Sequence, residues 1–124
     1  MTALCGSIDN STDTIGTFSI AAYDPDVEEL GVAVQSKFLA VGGVVPFAES
    51  GSGAIATQAW GNTSYGTEGL ILLEMGISPE KVIDILTAKD DGRDFRQIGI
   101  VDANGNSSGY TGDKCSPYAG HHAG

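Results

Sequence analysis

Gly16-Thr17-Phe18-Ser19-Ile20-Ala21-Ala22-Tyr23-Asp24, followed by Gly31-Val32-Ala33-Val34-Gln35-Ser36-Lys37-Phe38, reads as two strands joined by an acidic reversal. Thr, Phe, Ile, Val and Tyr favour extended backbone, and Asp24-Pro25-Asp26 supplies residues suited to a turn. An antiparallel return brings the end of the second strand back to the head of the first, so Lys37 is expected near Thr17. A hydroxyl served by an ammonium is an arrangement suited to nucleophilic catalysis. This hairpin therefore sets both the fold class and the first candidate site.

Upstream, residues 1–15 are rich in Ser, Thr and Asp and show no apolar periodicity. Residues 1–16 are accordingly expected to be a flexible leader or propeptide, with one domain over 17–124. Downstream, Gly51-Ser52-Gly53 is a turn and residues 54–59 are a third strand. A helix is expected through residues 68–75, capped by Ser64 or Thr67 and stopped by Gly76. Ser78 and Pro79 open a second helix, whose apolar face is Val82, Ile83, Ile85 and Leu86 and which ends at Asp90-Asp91-Gly92. Residues 95–102 and 107–112 form a further hairpin around Asn104-Gly105, and residues 113–124 carry no strand or helix pattern. Strands, then helices, then strands again describe an α+β domain with antiparallel pairing.

Composition narrows the function. The 124 residues suit one domain, and 41% hydrophobic with 18% charged residues is ordinary for a globular chain. Eighteen glycines favour sheet and tight turns over a helical bundle. Six Lys and Arg against sixteen Asp and Glu give a net charge of −10, which repels nucleic acid and anionic membrane surfaces. No stretch has the length and apolarity of a membrane span, and no secretory signal opens the chain, so a cytoplasmic location is expected. Cys5 and Cys115 have neither metal-ligand nor redox-motif spacing; whether they pair stays open.

Thr17 is the candidate nucleophile. An N-terminal threonine carries its own base, because its α-amine titrates near ~8 and can take the hydroxyl proton. Here the Gly16–Thr17 bond would first have to be cleaved, and the small Gly16 leaves room for the hydroxyl to attack the preceding carbonyl. Lys37 is the electrostatic partner, and Asp24 and Ser36 are the candidates to orient it. Gln58 and Asn62 are candidate oxyanion or substrate donors. Each has a plainer role available: Thr opens strands, Lys ends them, and Asp before Pro makes turns. His121 and His122 are adjacent and suit a solvated tail better than a shared metal. Serine-hydrolase elbows, zinc-protease motifs and spaced carboxylate pairs do not occur.

The run from Thr17 to Pro25 resembles a microbial family classed with the N-terminal-nucleophile (Ntn) hydrolases. So do Leu30 to Phe38, Val45-Pro46, Ala56-Thr57-Gln58-Ala59, residues 96–102, Tyr110-Thr111-Gly112 and Ala119-Gly120-His121. The resemblance spans residues 17–124. It implies a four-layer αββα sandwich with the nucleophile at a strand tip and, in relatives, a threonine next to the initiator methionine. It also implies a chain longer than this one, so a truncated member with exposed apolar faces is expected to form a homodimer or higher homo-oligomer. The reading that results is an amidohydrolase that cleaves the C–N bond of a small-molecule amide through Thr17, with no metal or organic cofactor. The alternative is a non-catalytic assembly or binding module on the same fold.

Overall fold

The computed structural model describes residues 2–6 and 16–124, with side chains from Gly16 onward. Its strands are β1 (Thr2–Gly6), β2 (Gly16–Asp24), β3 (Glu29–Ser36), β4 (Pro46–Glu49), β5 (Gly53–Ala59), β6 (Arg96–Asp102), β7 (Ser107–Thr111) and β8 (Gly120–His122). Between β5 and β6 lie α1 (Thr63–Glu74) and α2 (Pro79–Ala88). The strands form two four-stranded antiparallel sheets, ordered β3-β2-β1-β8 and β4-β5-β6-β7.

The expected hairpin is β2 and β3, paired from Thr17 opposite Ser36 to Asp24 opposite Glu29. Side chains alternate along it: Ser19 and Ala21 are buried between the sheets, whereas Phe18 and Ile20 stay about 40% and 38% exposed on the outer face. Ala21 meets Ala54 and Val101 of the second sheet, and Tyr23, Leu30 and Val32 pack against this inter-sheet cluster. The other face of the second sheet turns Ile55, Ile98 and Ile100 toward Tyr65, Leu70, Leu73, Val82 and Leu86 of the helices. The layers are therefore helix, sheet, sheet; among the described residues no helix covers Phe18 and Ile20.

Several elements differ from the sequence reading. Regular structure does not wait for Gly16, because Thr2–Gly6 is a strand between β2 and β8. Met1 and residues 7–15 of the expected leader lie outside the described residues. The tail supplies β8, which pairs with β1; a strand of three residues in a Gly-rich tail has too few alternating positions to announce itself. Helix α1 begins earlier than expected, because the Asn62 side chain, rather than Ser64 or Thr67, accepts the Ser64 N–H and caps it. The second hairpin turns at Gly105, φ +83°, with Asp102 Oδ1 accepting the Asn104 and Asn106 N–H groups.

Gly66 is where α1 meets β4. A Cβ there would fall 2.2 Å from two atoms of the Phe47 ring. Gly66→Ala is expected to destabilise the fold by about 1–2 kcal/mol, because overpacking outweighs the roughly 1 kcal/mol gain in helix propensity. Urea unfolding midpoints check this, and a stabilised variant would show that the ring moves aside freely.

Candidate functional site

Thr17 sits at the head of β2 on the inner face, with its register partner Ser36 at the end of β3. Their hydroxyl oxygens are 3.0 Å apart. Ser36 Oγ also accepts the Phe38 N–H at 3.0 Å, which fixes the hydroxyl where the strand gives way to a bend. Beside Thr17 opens a cavity of about 370 Å³. Its floor is Gln58 and Thr57 of β5; its walls come from Phe38, Val44, Trp60 and Arg96. Ala59 ends β5 with φ +69°, a left-handed conformation costly to a residue with a Cβ, and turns the chain toward Trp60 at the rim.

Beneath Thr17 runs a polar row across the second sheet. Gln58 is opposite Gln97, and Gln97 is opposite Thr111, so three neighbouring strands place polar side chains at one level. Gln58 Nε2 donates to the Thr17 carbonyl at 3.2 Å and to Gln97 Oε1 at 2.8 Å, while its Oε1 accepts from Ser19 Oγ at 2.6 Å. Gln97 Nε2 donates to Thr111 Oγ1 at 2.9 Å and to the Gly120 carbonyl at 2.8 Å. Thr111 Oγ1 lies 2.9 Å from His121 Nδ1. Gln58 and Gln97 are buried, and a buried amide left unsatisfied is expensive, so the row ties both sheets to one register at the Thr17 end.

Arg96 links the cavity to a second cluster. Its Nε donates to Asp90 Oδ2 at 2.9 Å, and its Nη1 donates to the Trp60 carbonyl. Asp90 also accepts the Tyr65 hydroxyl at 2.7 Å and the Gly92 N–H at 2.8 Å. The Arg96 hydrogen bond holds the Asp90 carboxyl well below the ordinary carboxylate range, against the opposing effect of burial. Burial first, and the Asp90 bond second, push the Tyr65 hydroxyl well above its usual value. The same Asp90 bond raises Arg96 further.

The candidate residues fall into two groups. Thr17 and Gln58 line the cavity, Ser36 joins them through its bond to the Thr17 hydroxyl, and Gly16 precedes Thr17 in β2, opposite Gly6 of β1. Gln58 spends its amide on the Thr17 carbonyl and Gln97, not on the cavity. Lys37 does not join them: the ladder puts Ser36 opposite Thr17, and Lys37 follows as an exposed residue beyond the strand end. Asp24 is seven residues further along β2, about 23 Å at strand rise, and its Oδ1 accepts the Asp26 N–H to shape the turn. It cannot orient a group at Thr17. Asn62 caps α1 and reaches Asp90, so it too is occupied. Cys115 Sγ lies 3.4 Å from the Arg96 carbonyl, while the Cys5 side chain is outside the described atoms.

Gln97, Thr111, Asp90 and Trp60 were not singled out by the sequence. Gln58 and Gln97 carried the one usable signal, polar side chains on the inward register of otherwise apolar strands.

Residues 17–124 match a family of unknown function, DUF1028, and the chain belongs to that family. A crystal structure of another of its members, from Silicibacter pomeroyi, is similar to this chain, with a TM-score of 0.83 at 35% identity. The similarity covers 86% of this chain and 50% of that one, so the chain spans about half the length of that protein. No curated protein matches it. Among the described residues no helix is long and apolar enough to cross a membrane.

Proposed function

We propose that the protein is an amidohydrolase of the Ntn type, with Thr17 as nucleophile once the Gly16–Thr17 bond has been cut. The observation that carries the reading is Thr17 on the wall of a cavity, its hydroxyl 3.0 Å from that of Ser36. The family match begins at Thr17, which agrees with a chain whose working N-terminus is that residue. The helix, sheet, sheet order suits an αββα sandwich in which Phe18 and Ile20 mark the outer face that a second helical layer would cover.

Cleavage would run as an acyl shift. Thr17 Oγ attacks the Gly16 carbonyl carbon, the C–N bond breaks as the Thr17 nitrogen takes up the hydroxyl proton, and an ester forms. Water hydrolyses the ester, leaving a carboxylate on Gly16 and an amine on Thr17. Strand β1 would stay in place, since it pairs with both β2 and β8. The amine then serves as base: with Ser36 donating to Thr17 Oγ, the Thr17 proton is left for the amine to take. Attack on a substrate amide gives an acyl-Thr17 ester, the amine passes its proton to the leaving nitrogen, and water releases the acid. Neither Lys37 nor Asp24 has a part in this scheme.

The non-catalytic reading has one observation in its favour: Gly16 lies within a regular ladder opposite Gly6, with no distortion that would press a carbonyl on the hydroxyl. Intact mass under denaturing conditions with N-terminal sequencing separates the two. The expected result is a chain that begins at Thr17 and hydrolyses small amides. A chain that still begins at Met1 or Thr2 after long incubation would leave Thr17 without its base and select the binding module.

A further inference from the structure

We propose that the Thr17 cavity selects uncharged amides with a short apolar acyl chain and excludes carboxylates and ammonium groups. The inference names the substrate class for the hydrolase reading and rests on that reading for its chemistry, while the binding it predicts stands on the cavity alone. The walls are mostly apolar: Phe38, Val41, Val44, Val45, Ala59 and Trp60 line the space that Thr17 opens onto, against a polar floor and the Arg96 side chain. The apolar character continues outward, with Trp60 74% and Phe38 55% exposed at the mouth and Leu39 beyond them. Apolar side chains left in water beside a cavity are unusual enough to mark a binding surface.

Charge decides the rest. Among the described residues Arg96 is the one charged side chain on the cavity wall, and its guanidinium is engaged by Asp90 and by the Trp60 carbonyl. A carboxylate ligand would compete with Asp90 for that cation. An ammonium ligand would meet Arg96 and no carboxylate among the lining residues. With the Gly16–Thr17 bond intact, either ion would lose its hydration without a free counter-charge, a cost that a neutral amide avoids; in the cut chain the Thr17 amine adds a charge only in its protonated form, which is not the form that acts as base. Size sets the scale: at about 30 Å³ for each water-sized group, 370 Å³ holds roughly a dozen non-hydrogen atoms inside the mouth. With the amide carbonyl against Thr17, that leaves room for an acyl chain of moderate length or one aromatic ring.

Trp60 is the chain's single tryptophan, so intrinsic fluorescence reports on the cavity mouth. Thr17→Ala, which keeps the Gly16–Thr17 bond and turns no probe over, would be titrated with acetamide, butanamide and hexanamide, then with hexanoate and hexylammonium at pH 7, with wild type compared on the amides. Affinity is expected to rise about two- to fourfold for each methylene along the amides, and to fall at least tenfold when the six-carbon amide is replaced by either ion. Val44→Arg, at a wall position 38% exposed, is expected to remove hexanamide binding while leaving the unfolding midpoint near that of the wild type. Equal affinity for acetamide and hexanamide, tighter binding of either ion, no binding by any probe, or undiminished binding to a folded Val44→Arg protein would each overturn the proposal. Chain-length-dependent binding in both wild type and Thr17→Ala, with no hydrolysis by either, would support this selectivity while removing the hydrolase reading.

Discussion

Asp90→Asn is expected to lower the unfolding free energy by about 3 kcal/mol, the low end of the cost of removing one partner from a buried ion pair, because this pair is partly rather than fully buried. For a chain of this length that corresponds to a fall of roughly 10 °C in melting temperature. The size follows from what Asp90 holds. The Asp90 and Arg96 side chains keep only 12% and 22% exposure, so the pair is not the weak kind found on open surfaces. The same carboxylate receives the Tyr65 hydroxyl from α1 and the Gly92 N–H after α2, so it joins both helices to the start of β6. An amide in its place would set an NH₂ against the guanidinium or the tyrosine proton.

The pH dependence has a definite sign. Because the folded-state value is depressed, the stabilisation is fully present above the unfolded value of about 3.9 and is lost as pH falls from there toward the folded value. The gap between wild type and Asp90→Asn should therefore be constant from pH 5 to 8 and narrow below about pH 4. Thermal unfolding of both proteins across that range checks it. A difference below 1 kcal/mol at neutral pH would show that the cluster is not a structural joint.

The sequence disclosed the fold where a local pattern and the tertiary environment agree. Thr17 to Tyr23 and Gly31 to Ser36 alternate as a half-buried hairpin must, and Asn104-Gly105 turns where such a dipeptide should. The second helix begins at Pro79 behind Ser78, as expected, although the Ser78 side chain makes no capping bond. β8 escaped because it depends on β1: Gly120–His122 pairs with residues nearly 120 positions away, a contact that leaves no mark in local composition, while β1, which pairs mainly with its neighbour β2, is five residues with no alternating pattern to announce them. Asn62, a candidate substrate donor by residue type, has its side-chain oxygen engaged in capping α1.

The candidate site was legible in part for the same reason. Proximity of Thr17 to the end of β3 follows from antiparallel pairing, but which residue faces it depends on a register of one position. Lys37 and Ser36 exchange roles on that single step. Asp90 read as a helix stop, which it is, and nothing local showed that Arg96 and Tyr65 converge on it. The cavity itself is assembled from β2, the segment after β3, β5, the loop at Trp60 and Arg96 of β6, elements spread over about eighty residues. Pockets made this way have no sequence code of their own.

Thr17→Ala is expected to reduce amide hydrolysis by a factor of at least about 10⁴, the scale on which loss of a covalent nucleophile is felt, with no compensating change in substrate affinity. The fold should tolerate the change within about 1 kcal/mol, because the lost contact is one partly buried hydroxyl pair and the Thr17 carbonyl keeps its bond from Gln58. Thr17→Ser keeps an attacking oxygen and should retain measurable turnover and leader cleavage; Thr17→Ala should show neither. The contrast matters because a structural role predicts a different order. If Thr17 only packed the head of β2, both variants would behave alike in every assay, and any hydrolysis would persist in Thr17→Ala. Purified wild type, Ser and Ala proteins compared by intact mass and by turnover of hexanamide distinguish these cases, and equal turnover in all three would remove Thr17 from the chemistry. Gln58 grips the residue through its backbone carbonyl, so the place of residue 17 in the strand does not depend on its side chain. A serine can therefore inherit the site, whereas alanine, which has no nucleophilic atom, should silence it.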